Sequence, residues 1–428
     1  MRVLITTQPG TGHLAPLLPL AQALVTAGHT VAFACAASFV GQVQRAGFTA
    51  FAAGLDWLQA EPERAFPEMI DMTTAEKDAM LTEIFVDISA GHMINDLLAL
   101  CEAWQPDVLV RDYSEYGACL VGEMLAIPHA AVGLAAYLPD YITQLVIEKP
   151  LAYLRSACGL PSHPAMPMLT KYLHLSFVPP SLQFPEYSLP ATTTTLQPLP
   201  PPSLNAVLPN WLSTLPDQPT IYASLGTVFN RAPEIFRTII AALREEPVNL
   251  IITIGRNQDP AQFGTMPKNI QIEQFIPQDL LMPHCAGVIT HGGINTILAA
   301  LRYGLPLVLL PLVGHQWQNV ARCTALDVGI PLRLPEDDVV AQKVHLPLDA
   351  PQSAALTLYA EAAAPLSAHS VKTAVTELLG NGRYQQAAQK IQAEMAALPG
   401  PDYGVHLLER LAVERKPLPF SGLKYDTR

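Results

Sequence analysis

The stretch from residue 275 to 319 restricts the fold more than any other part of the chain. An apolar run passes through Ile289-Thr290 into His291-Gly292-Gly293, and after Asn295-Thr296 the apolar residues take helical spacing as far as Tyr303. Gly304 and a buried-strand pattern at 305–310 follow, so the segment reads as strand, glycine turn, helix, strand. Such a turn puts unpaired backbone N–H groups and the positive end of a helix dipole at the carboxyl end of a strand, which is a pocket for phosphate. The two glycines let a bulky anion approach the backbone, and His291 and Thr296 add side-chain donors. An ordinary glycine-rich βα turn is the competing reading.

The first half opens with the same grammar. A strand at 2–7 runs into Pro9-Gly-Thr-Gly-His13, an apolar helix at 14–27 ends at Gly28, and a second strand fills 30–35. Gly10-x-Gly12-x-x-Ala15 matches the dinucleotide fingerprint in form, but the second strand ends in Cys35-Ala-Ala-Ser38 with no acid for a ribose. A strand at 106–112 ends in Asp112, on the sheet edge that also holds His13, so the two side chains can meet across the intervening sequence. Asp112 could instead cap the following helix, and nearby Glu115 could compete for the imidazole. Residues 51–93 are irregular and rich in methionine and aromatic side chains, which either pack or form adaptable apolar pockets. A strand at 127–132 precedes a second variable region at 133–143.

From 161 to 219 turns dominate, and 192–195 and 198–202 are read as unable to carry a ladder or a helix. The domain boundary falls at 197–205. Strands at 220–225, 248–254 and 270–275 and a helix at 234–245 then restart the α/β pattern, and the tail holds helices at 353–363, 371–379, 384–398 and 405–415. The expected domains are 1–200, 201–405 and a tail at 406–428.

With 50% hydrophobic and 14% charged residues the chain is globular with large cores. Its net charge of −12 argues against nucleic acid or an anionic membrane as partner, so a phosphate must be held locally by dipoles and backbone. Six cysteines without a C-x-x-C pair read as reduced core residues. The Gln8-Pro9-Gly10 turn breaks any signal-peptide core, and no long apolar stretch lacks Pro or Gly, so the expectation is a cytoplasmic protein without stable membrane insertion, as monomer or homodimer.

Taken together, Pro277-Gln278, His291-Gly-Gly293, Asn295-Thr296, Gly304-Leu-Pro306, Gln316 and Asn319 resemble the nucleotide-sugar signature of the family 1 glycosyltransferases, both bacterial natural-product (antibiotic) and plant secondary-metabolite types. The resemblance implies a GT-B fold: two doubly wound Rossmann-like domains facing a central cleft, the N-terminal one for acceptor and the C-terminal one for donor. It implies an inverting transfer from a nucleotide diphosphate sugar to a hydroxyl of a small apolar acceptor, with no cofactor or metal beyond that co-substrate. His13 is then the general base and Asp112 its orienting partner. The donor contacts it implies are Thr227, Phe275, Gln278, His291, Gly293, Asn295, Thr296, His315, Gln316 and Asn319. Thr227 also fits a plain helix-start turn. The chain departs from the family at Phe275, where tryptophan is usual, and at Ala299 and His315, where acids bind ribose and sugar hydroxyls. The lost acids point to a thymidine diphosphate deoxysugar, with uridine diphosphate sugars as the competitor. They also keep open a nucleotide-sugar-binding homologue that acts as a partner subunit without transfer, and the fingerprint at residue 10 keeps open a nicotinamide oxidoreductase.

Overall fold

The computed structural model describes residues 1–72, 74–133, 135–137, 140–161, 163, 167–201, 207–228, 232–312, 316–334 and 362–419. The chain divides into two compact units, one of Met1–Asp71, Ala79–Pro201 and Leu398–Arg428, the other of Met72–Asp78 and Pro202–Ala397.

In the first unit seven strands form a sheet in the order β3-β2-β1-β4-β5-β6-β7. They are β1 (Arg2–Thr6), β2 (Thr30–Cys35), β3 (Thr49–Ala52), β4 (Val108–Asp112), β5 (His129–Gly133), β6 (Leu173–Ser176) and β7 (Thr193–Thr195). Every pairing is parallel, and the central strands are buried from end to end, as a sheet covered on both faces requires. The register Thr6↔Arg111 sets the carboxyl ends of β1 and β4 side by side. This brings the loop after β1 to the tip of β4. Val405, Leu407, Leu408 and Leu411 of the helix Pro401–Glu414 share a core with Val3, Ile5, Leu17 and Leu20.

Two expectations are corrected here. The threonines of 192–195 do carry a ladder, because β-branched side chains suit an edge strand and the prolines at 190 and 198 bracket it without interrupting it. Residues 51–93 contain an edge strand and the start of a long helical run. Thr74–Glu83 continues through a π-helical turn, Ile84–Ile88, into Ser89–Trp104. The π turn widens the helix locally, which erases the 3.6-residue period that would reveal it. The segment Ile84–Trp104 is long and apolar enough to cross a bilayer. Its Ala90, Met93, Ile94, Leu97 and Cys101 are spent on the core.

The second unit repeats the design, with strand order β10-β9-β8-β11-β12-β13-β14. Its strands are β8 (Thr220–Ser224), β9 (Asn249–Thr253), β10 (Ile270–Glu273), β11 (Gly287–Thr290), β12 (Leu307–Leu309), β13 (Gly329–Arg333) and β14 (Ala364–Pro365). Helices Pro233–Leu243 and Ala368–Gly380 pack against this sheet through one core. The helix expected at 353–363 lies outside the described residues apart from its last two positions. All six cysteines are unpaired; Cys158 and Cys285 are only partly buried, whereas Cys35, Cys101, Cys119 and Cys323 are core residues.

Candidate active site

Pro16 separates the helix Leu17–Thr26 from a short helical turn, Thr11–Leu14, and His13 sits on that turn at the carboxyl edge of the first sheet. Its Nδ1 lies 3.3 Å from Asp112 Oδ2 and 3.2 Å from Ser114 Oγ. Asp112 has no exposed surface and is saturated with donors. Gln8 N–H donates to Oδ2 at 2.7 Å, and Ser114 donates to Oδ1 from its amide at 2.8 Å and from its hydroxyl at 2.6 Å. Burial opposes the charge on this carboxylate, but the neighbouring His13 and these hydrogen bonds outweigh it and hold the pKa down to about 2. An ionised acceptor therefore faces Nδ1, which fixes the proton there and leaves the lone pair on Nε2. The His13 side chain keeps 16% exposure, so that lone pair can meet a substrate.

Glu115, the competing carboxylate, is engaged elsewhere. Glu115 accepts from Thr6 Oγ1 at 2.6 Å and from the amides of Gly117 and Ala118, so its carboxylate is spent on β1 and on the first turn of the helix Gly117–Met124. Burial pushes its pKa up. Beneath the turn, the wholly buried Arg111 donates to the carbonyls of Tyr113 (2.7 Å), Glu115 (3.1 Å) and Leu169 (2.5 Å), and so pins the loop that presents Asp112 and Ser114. Ser114 was not singled out from sequence. An aspartate followed two residues later by serine is an Asx-turn pattern, and that was the available signal.

In the second unit β8 and β11 are neighbours, with Ser224 opposite Thr290, so the loop Gly226-Thr227 lies beside His291-Gly292-Gly293. The imidazole of His291 is clasped between glycines: a Cβ at Gly226 would come 2.6 Å from its Cε1, and one at Gly293 would come 2.5 Å from its Nε2. Gly226 (φ 80°) and Gly292 (φ 84°) are left-handed, a conformation that favours glycine. A Cβ at Gly292 would also strike Val320. The helix Ile294–Arg302 starts directly from Gly293, so its first-turn amides face the same turn. Thr227 is exposed at the loop tip and Asn295 half-buried at the helix start.

The remaining donor candidates divide between surface and support. Phe275 is 52% exposed, and the guanidinium of Arg256 lies 4.1 Å from its ring centre. Gln278 reaches Thr296 Oγ1 at 3.3 Å and Tyr222 Oη at 3.4 Å, bridging the loop after β10 to the helix. Gln316 is buried and accepts from Leu312 N–H, which ties it to the loop after β12, while the buried Asn319 donates to Gly292 O at 3.0 Å and holds the turn from behind. Ala299 is buried as well. His315 lies outside the described residues. Among the described residues no group of three or more His, Cys, Asp or Glu side chains is placed to hold a metal.

Each unit is a parallel Rossmann-like sheet, the first with a buried carboxylate behind a histidine and the second with a glycine-clasped histidine at a helix start, and this pair of sheets is the architecture of the GT-B glycosyltransferases. Comparison with known proteins makes this specific. Residues 22–226 and 237–364 match the N-terminal and C-terminal domains described as "Erythromycin biosynthesis protein CIII-like", and the chain belongs to that family of antibiotic-type family 1 glycosyltransferases. It is 29% identical over 394 residues to 4'-demethylrebeccamycin synthase of Lentzea aerocolonigenes, covering 82% of this chain and 92% of the relative. TDP-daunosamine transferase of Streptomyces peucetius is 24% identical, with 99% and 100% covered. The solved spinosyn rhamnosyltransferase SpnG complexed with thymidine diphosphate superimposes with a TM-score of 0.72 at 23% identity, over 96% of this chain and 100% of that one.

Proposed function

We propose that the protein transfers a sugar, with inversion, from a thymidine diphosphate deoxysugar to a hydroxyl of a small apolar natural-product acceptor. The observation behind the chemistry is the His13–Asp112–Ser114 arrangement: Nδ1 is committed to an ionised, donor-saturated carboxylate, so Nε2 is a base of fixed tautomer. As the acceptor oxygen bonds to the anomeric carbon, its proton passes to Nε2 and the diphosphate leaves with the electron pair of the broken C–O bond. His291, Thr227 and the first-turn amides at 293–295 would stabilise the departing charge, and Thr296 and Asn319 would keep that turn in place. No cofactor or metal enters this scheme.

Donor choice rests on Ala299. A buried methyl group asks for no ribose hydroxyl, so the site tolerates a deoxyribose where a glutamate would reject it. The relatives named above, a TDP-daunosamine transferase and an enzyme complexed with thymidine diphosphate, support the same nucleotide. Competition binding of thymidine and uridine diphosphates tests it. Comparable affinities or a thymidine preference are expected, whereas a uridine preference beyond about tenfold, roughly 1.4 kcal/mol, would show that the ribose is still read. His13→Ala tests the base: turnover should fall by roughly 10²–10⁴-fold with nucleoside diphosphate affinity retained.

A further inference from the structure

Beside His13 the wall of the first unit is aromatic. Phe85 is half-buried, and its ring centre lies 5.7 Å from that of His13 with only 33° between the planes. Trp57 stands behind it, edge-on at 5.3 Å and 82°, and is itself locked by an Nε1–H bond to Ser89 Oγ at 3.2 Å. The Ser89 hydroxyl donates in turn to Gln8 Oε1, and Gln8 Nε2 donates to Ser114 O, so the aromatic pair is tied to the loop that holds the base. Phe85 owes its position to the π-helical turn Ile84–Ile88, in which Ile84 and Val86 are buried on either side of it. Such turns are uncommon and concentrate at functional sites.

Resting on the transferase reading above, we propose that Phe85 is the platform on which a flat, hydroxylated aromatic ring of the acceptor stacks, and that a hydroxyl on the rim of that ring is the group glycosylated. The geometry favours a planar molecule. The Nε2 lone pair of His13 lies in the imidazole plane, and a ring stacked offset on Phe85 lies within about 33° of that plane. A hydroxyl on the rim of that ring then lies in a plane close in orientation to the one that holds the lone pair. A saturated ring of the same size is puckered and has no π face, so it loses the stacking contact with Phe85. An aromatic hydroxyl also titrates near 10, as tyrosine does, which makes it a far easier proton donor to imidazole than an aliphatic alcohol. In the step itself the rim O–H proton moves to Nε2, the oxygen bonds to the anomeric carbon, and the nucleoside diphosphate departs with the electron pair.

The test is a pair of acceptors differing only in planarity, 2-naphthol and decahydro-2-naphthol, titrated into the full-length protein with thymidine diphosphate present. Wild type should bind the planar compound at least fivefold more tightly. Phe85→Leu should lose that preference, and Phe85→Trp, which keeps a flat face, should retain it. Equal binding of the two compounds by wild type, failure to bind 2-naphthol, or an unchanged preference in a folded Phe85→Leu protein would each overturn the inference. The binding of thymidine diphosphate in the same titrations reports separately on the transferase reading, so the two can fail independently.

Discussion

Replacing Asp112 by asparagine removes one charge and almost no volume, and the structure sets the size of the effect. The carboxyl is held at about 2 instead of an ordinary 3.8, with burial opposing and His13, Gln8 and Ser114 favouring ionisation. At about 1.4 kcal/mol for each tenfold change in proton affinity, that difference is worth roughly 2–2.5 kcal/mol of stability. The folded pKa is depressed, so this contribution is complete above about pH 4 and is lost as pH falls toward 2. Asparagine adds a second cost. Gln8 N–H, Ser114 N–H and O–H and His13 Nδ1–H converge on the two oxygens, and an amide offers one oxygen and two further donors. At least one buried donor is left facing another, at about 1–3 kcal/mol. Urea unfolding of both proteins from pH 7 to pH 2.5 should show the variant about 3 kcal/mol or more less stable at pH 7, with the gap narrowing as pH falls below 4. Turnover should drop by roughly 10²–10⁴-fold, because Nδ1 no longer faces a charge when imidazolium forms. A variant that keeps wild-type turnover, with an unfolding curve parallel to wild type at every pH, would refute this reading of Asp112.

Ser114→Ala should lower turnover by about tenfold and shift the acid limb of the pH–rate profile, with Ser114→Thr restoring both; a loss of melting temperature with an unmoved profile would reduce Ser114 to a structural residue. Gly226→Ala should weaken nucleoside diphosphate binding at least tenfold, since its Cβ strikes His291, while Gly264→Ala, also left-handed at φ 75° but with nothing within 4 Å, should cost stability alone by about 1 kcal/mol. Calorimetry of both variants decides it, and equal affinities would remove His291 from the phosphate site. His291→Ala should itself lose about 1.5–3 kcal/mol of diphosphate affinity and little nucleoside affinity.

Much of this was legible in the sequence, for physical reasons that differ by residue. Buried parallel strands are short apolar runs, so β1, β2, β8 and β11 stood out, as did the glycines that interrupt them. His13 and Asp112 could be paired because both follow strands on one sheet edge. The glycine turn after β11 was visible because left-handed glycines and a helix start leave a fixed pattern. What escaped was whatever depends on packing. Nothing local tells that Asn319 holds Gly292 O, or that Gln316 holds the amide of Leu312, instead of reaching into solvent. β7 was hidden by flanking prolines, and the π turn that delivers Phe85 breaks the very periodicity by which helices are read. Ser114 emerged only once Asp112 was seen to need donors on both oxygens.

Transfer with inversion by a histidine base is tested most directly by the anomeric configuration of the product. The purified protein, given a panel of α-linked thymidine diphosphate sugars and a hydroxylated acceptor such as 2-naphthol, should yield a β-linked glycoside, read by NMR from the coupling of the anomeric proton, and the His13→Ala protein should yield little. An α-linked product, or an equal yield from the His13→Ala protein, would contradict it.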